Sequence, residues 1–97
     1  MNYGEGKFTV INSRGNQDQD YTLTIRYEES DDGREITLYI VYKELADILD
    51  TLRIPTLRSI NFQIIIKETT NQGNVREIPI VLPEEIMNMT SAELRRL

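Results

Sequence analysis

Apolar and polar residues alternate along this chain in two similar blocks, each followed by a helix-like stripe. Tyr21, Leu23, Ile25 and Tyr27 alternate with Thr22, Thr24, Arg26 and Glu28. That is the period-two pattern of a strand with one buried face, written in residues that suit a pleated surface. Ser30-Asp31-Asp32-Gly33-Arg34 follows as a turn: Gly33 suits a positive φ, and the aspartates tolerate the same region. Ile36, Leu38, Ile40 and Tyr42 then continue the buried face, so residues 21–42 predict a β-hairpin. Leu45, Ile48, Leu49 and Leu52 fall at i, i+3, i+4 and i+7, one apolar helix stripe with Glu44, Asp47 and Asp50 turned to water.

The pattern then recurs. Ile60, Phe62, Ile64 and Ile66 alternate, residues 67–73 read as a second turn region, and Ile78, Ile80 and Leu82 alternate in their turn. Arg76-Glu77-Ile78 repeats Arg34-Glu35-Ile36, and Glu68 and Gly73 match Glu28 and Gly33 at one offset. The repeat is either an old duplication or two similar solutions to one packing problem. Pro83-Glu84-Glu85-Ile86 opens another helix, with proline at the first helical position and acids in the first turn. Thr90-Ser91-Ala92-Glu93 has capping-box form, which predicts a break at Met89 and a restart.

Outside these units the signals are weaker. Residues 1–6 read as a loose start, with Gly4 and Gly6 giving freedom. Residues 7–12 read as a short strand with Phe8 and Val10 inward, and residues 13–19 as an exposed connection. Pro55 ends helical propagation, while Leu52, Ile54 and Leu57 are placed to pin the linker to the core. The expected architecture is a single α+β domain spanning residues 1–97. It is a five-stranded, mainly antiparallel sheet in the order β-β-β-α-β-β-α, with two helices on one face.

Charge is uneven. Residues 1–50 hold eleven acids and five bases, whereas residues 51–97 hold five acids and six bases, within an overall net of −5. The acids concentrate around the first turn: Glu28, Glu29, Asp31, Asp32 and Glu35. Such a patch repels phosphates and favours a basic partner. On the sheet face away from the helices, Tyr39, Val41, Ile65 and Val81 stand out among polar neighbours and predict a homodimer or partner face on central strands. Cysteine is absent, which excludes disulfides and thiolate metal sites and fits a cytoplasmic setting. No apolar run reaches the roughly 18 residues of a membrane span.

Candidate chemistry is sparse. Histidine is absent, removing the commonest neutral-pH general base and metal ligand, and no glycine-rich phosphate loop exists. Asn16, Asp18 and Asp20 have the spacing that opens a calcium loop, but Tyr21 and Tyr27 stand where its glycine and glutamate belong. A solvated polar loop is the better account. The acids of residues 28–35 lie at a wet hairpin tip, where nothing separates two carboxyl pKa values for acid/base work. The chain therefore reads as a non-enzyme with no cofactor and no metal.

Tyrosines alternating with Arg26, Arg34 and Lys43 suggest a base-stacking sheet, although alternation leaves only Tyr39 clearly outward. The layout, a strand-rich hairpin leading straight into a helix, is similar to the whirly group of single-strand nucleic-acid binders. The resemblance is one of layout and is carried by no specific motif; the rival expectation beside it is a dimeric nucleic-acid-binding sheet using Arg26, Tyr39, Lys67 and Arg76. In size and charge the chain also resembles the small acidic inhibitors of phages and mobile elements, some of which imitate the charge of nucleic acid. The leading expectation is a small acidic interaction protein that regulates or inhibits a macromolecule with a basic surface. A single-strand binder, or a structural subunit of a larger assembly, is the alternative.

Overall fold

The computed structural model describes residues 2–69 and 72–97. Among these residues five strands form one antiparallel sheet: β1 (Asn2–Ile11), β2 (Gln17–Glu29), β3 (Ile36–Ile40), β4 (Asn61–Thr69) and β5 (Val75–Ile80). Helix α1 (Tyr42–Leu52) follows the first hairpin, and short helices α2 (Glu84–Met87) and α3 (Ser91–Leu94) follow the second. The class is α+β, in the element order that the pattern predicts. Spatially the order is β3-β2-β1-β4-β5, so the first strand in sequence is the central one.

That placement overturns the loose start. β1 begins at Asn2, and Gly6 lies between Leu23 of β2 and Ile66 of β4. A Cβ on Gly6 would stand 2.5 Å from Ile25 Cδ1 and 2.9 Å from the Leu23 carbonyl oxygen. Glycine inside a strand marks a close approach or a tight bend, and here the neighbouring side chains fold across it. The bend is large. Arg76 on edge strand β5 reaches Glu29 on β2 at 2.7 Å, although two strands separate them. In a flat sheet three strand spacings amount to about 14 Å. The sheet is curled into a trough.

Other boundaries shift for simple reasons. β2 starts at Gln17, not Tyr21, because backbone pairing to β1 continues beyond the buried core. Lys67, Glu68 and Thr69, read as turn, are paired strand residues opposite Glu77, Arg76 and Val75. Thr70 and Asn71 of that turn, like Met1, lie outside the described residues. Gly33 and Gly73 take positive φ values of 70° and 81°, as their turns require. Tyr42 opens α1 instead of ending β3, and Pro83 is the N-cap of α2 instead of its first helical residue.

The concave face holds one core. Phe8, Leu23, Ile25, Tyr27, Ile64 and Ile66 from the sheet meet Leu45, Ala46 and Leu49 of α1, with Leu57, Ile86 and Leu94 completing it. Each buried large side chain contributes about 1.5–3 kcal/mol before entropy. All three helices thus lie on this face. α1 ends in a left-handed residue, Arg53, with the Ile54 N–H donating to the Leu49 carbonyl at 3.1 Å. Leu57 is fully buried, while Leu52 and Ile54 pack at the core margin, so the linker is pinned as expected. The C-terminal helix does break, and α3 starts with a complete capping box between Thr90 and Glu93.

Asp47 and Asp50 of α1 are exposed as expected, while Glu44 is partly buried, and all three find partners. Arg95, just beyond α3, bridges Asp47 at 2.8 Å and Asp50 at 2.6 Å. The Arg95 guanidinium holds the Asp47 carboxyl below its usual range, and the Ser91 hydroxyl together with Arg95 does the same for Asp50. Glu44 accepts the Thr24 N–H at 2.6 Å and the Thr24 hydroxyl at 2.8 Å. It takes the place of the strand residue that β3 would have supplied had it run on beyond Ile40.

Candidate functional site

The first hairpin turn is built by its own side chains. The Ser30 N–H donates to the Glu35 carbonyl at 2.9 Å, and the Glu35 N–H donates back to Ser30 Oγ at 3.1 Å. Asp32 Oδ1 accepts from Ser30 Oγ at 2.6 Å and from the Arg34 N–H at 3.0 Å, and these bonds hold its carboxyl below the usual range. Asp32 is therefore as much a turn-former as a charge. Asp31 and Glu35 stand exposed at the tip, and Glu28 is exposed on the convex face opposite Thr37. Glu29 parts from this group. It lies on the concave face, paired with Arg76. Four of the five acids share the tip region, with only Arg34 among them as counter-charge.

The four apolar residues of the far face divide. Tyr39 and Val41 stand at the β3 edge, 44% and 42% exposed. Val81 follows β5 and is 90% exposed, while Ile65 is half-buried on β4 between Lys7 and Pro79. Because β1 is central, the pairs lie on opposite sides of the sheet, about 14 Å apart along a flat path. They do not form one patch. The basic set divides as well. Arg26 and Tyr39 are cross-strand neighbours and Lys67 shares their convex face, but Arg76 faces the trough. The Tyr3 side chain lies outside the described residues.

Asp18 and Asp20, read as a polar loop, stand on strand β2. Asp20 is held by Lys7 at 2.9 Å and by the Thr9 hydroxyl, and both pull its carboxyl below the usual range, Lys7 the more strongly. Among the described residues no three acidic, histidine or cysteine side chains converge as a metal site. No helix among them is long and apolar enough to cross a membrane.

One polar constellation escaped the sequence reading. At the end of the trough the Tyr27 hydroxyl donates to Glu68, and Arg76 bridges Glu29 and lies 3.9 Å from Glu68. Burial, and then the neighbouring Glu68 carboxylate, push the Tyr27 phenol up to about 12. A signal did exist: alternation puts Glu29 in phase with Tyr27, Glu68 with Ile66 and Arg76 with Ile78, so three charged residues occupy inward positions at matching strand ends. Their geometry ties β2 to β5 across the trough.

A cleft of about 660 Å³ opens where β1 ends, β4 begins and α2 packs. Phe62, Ile80 and Met87 supply apolar wall, and Asn12, Asn61 and Gln63 supply amides. Phe62 stacks on Phe8 with ring centroids 4.9 Å apart. Glu84 on its rim is already held by Arg58, which also donates to Asn88 Oδ1 at 2.6 Å. The wall can accommodate an apolar group and offers amide hydrogen bonds. Compared with protein-family models, with curated proteins and with solved structures, the chain matches none.

Proposed function

We propose that this chain is a non-catalytic interaction domain that regulates or inhibits a macromolecule by docking the acidic tip of its first hairpin onto a basic surface. The observation that carries this reading is the pinned turn. Its backbone is fixed by Ser30, Asp32 and Glu35, so Glu28, Asp31 and Glu35 are presented without the ordering cost that a flexible acidic loop incurs on binding. Charge of one sign at a fixed tip steers encounter and discriminates among partners more than it adds affinity. In size and charge the chain resembles the small acidic inhibitors of phages and mobile elements, and a tip of this kind can imitate phosphate charge.

The test is affinity capture from the native host, with the chain as bait. Partners held by the unaltered chain are expected to be released by added salt. They are also expected to be lost from a Glu28→Lys, Asp31→Lys, Glu35→Lys triple variant, while Asp32→Asn, which keeps the turn's acceptor oxygen, retains them. An identical set of partners on the triple variant would remove the tip from the account. Gel shift against single-stranded oligonucleotides is expected to show no complex. A tight complex with a steep salt slope would favour a nucleic-acid sheet built on Arg26, Tyr39 and Lys67 instead.

A further inference from the structure

We infer that β3 is a dimerisation edge: a second copy of this chain pairs its own β3 antiparallel to the first, about a two-fold axis at Leu38, and joins two five-stranded sheets into one. The inference goes beyond the acidic docking and does not depend on it. The two free edges of the sheet differ in kind. β5 carries Pro79 within its ladder, with Arg76 and Glu77 nearby. A proline is tolerated in an edge strand with its nitrogen toward the open side, where it and edge charges deter an incoming strand. β3 reads Ile36-Thr37-Leu38-Tyr39-Ile40, with no proline, glycine, charge or bulge. Nothing in its sequence protects it.

Its hydrogen-bonding groups point the right way. Alternation from the Ser30–Glu35 closing bond turns the backbone of Thr37 and Tyr39 toward β2 and leaves that of Ile36, Leu38 and Ile40 facing out. α1 then departs over β2, with Glu44 seated on Thr24. An antiparallel copy in register uses all three outward residues. Ile36 faces the second Ile40, Leu38 faces its own counterpart, and Ile40 faces the second Ile36. Directly opposed side chains share a face, so the half-buried Ile36, Leu38 and Ile40 of both copies cover one another on the concave side.

Charge selects a second copy over a random strand. Asp31, Asp32 and Glu35 precede β3, while the positive end of α1 follows it with Lys43. Lys43 bridges Asp47 at 3.2 Å yet keeps its side chain 73% exposed, and so can take a second acidic partner. Antiparallel pairing sets the acidic turn of each copy beside Lys43 of the other. One lysine against Glu28, Asp31, Asp32 and Glu35 leaves each tip acidic, so the dimer still presents two docking tips, at opposite ends of the shared edge.

The same register supplies a test. Thr37 is exposed and Tyr39 largely so on the convex face, and the register places each opposite the other's counterpart. Sedimentation equilibrium of the unaltered protein is expected to give twice the 11.3 kDa chain mass. A T37K/Y39K variant sets lysine against lysine and is expected to weaken the dimer roughly tenfold or more. A T37K/Y39E variant sets lysine against glutamate and is expected to restore it, with circular dichroism confirming that both variants fold. A monomeric unaltered protein would overturn the inference, as would a dimer indifferent to T37K/Y39K. A T37K/Y39E variant as monomeric as T37K/Y39K would overturn this register.

Discussion

The two hairpins are near copies in pattern and opposites in placement of charge. β2–β3 ends in a turn whose acids mostly face solvent, and its outer strand is an uncharged edge. β4–β5 turns its end charges inward, Glu68 and Arg76 meeting Tyr27 and Glu29 in the trough, and carries Pro79 at its outer strand. The same alternation therefore builds one hairpin that offers its end to the surroundings and one that spends its end on closing the sheet. The proposed docking tip and the inferred dimer edge both lie on the first.

If both hairpins share one core, the largest effects fall equally on each. Leu23→Ala in the first and Ile66→Ala in the second, both almost fully buried, are each expected to cost about 2–5 kcal/mol. Chemical denaturation should show a single transition for both variants. A second transition in either would mean that the hairpins unfold as separate units.

A smaller effect is expected at the strand they share. Gly6→Ala forces a methyl against Ile25 and the Leu23 carbonyl oxygen, for a cost of about 1–3 kcal/mol. A thermal melt unchanged by this substitution would show that the trough can open without penalty.

The smallest effect sharpens the contrast in end charges. The Tyr27 phenol is raised from 10.0 to about 12, so the folded chain holds that proton more tightly than the unfolded one. Its contribution to stability is complete below about pH 10 and is lost as pH rises toward 12. Tyr27→Phe is expected to flatten this alkaline decline in a pH series of urea midpoints. An equally steep decline in Tyr27→Phe would detach Tyr27 from the closure.

Much of the architecture was legible in the residues. The alternation of residues 21–28 and 36–40 gave the first hairpin, the stripe of Leu45, Ile48, Leu49 and Leu52 gave α1, and Thr90 with Glu93 gave the restart at α3. Gly4 and Gly6 misled because glycine ordinarily weakens a strand, and only the curl, a property of five strands together, gives Gly6 a use. The division of Tyr39 and Val41 from Ile65 and Val81 was equally hidden. Alternation assigns a face, but strand order decides who are neighbours, and no local pattern shows that β1 lies in the middle.

That central position ties the chain's beginning to its later half. Ile11 finds its second partner only at Asn61 and Glu5 only at Lys67. During synthesis the opening strand can lie against β2 as soon as the first hairpin emerges, yet its other flank has nothing to join until the chain has passed through α1. The sheet grows outward from its first strand, whose second flank stays open until β4 arrives and β5 then closes the outer side of β4.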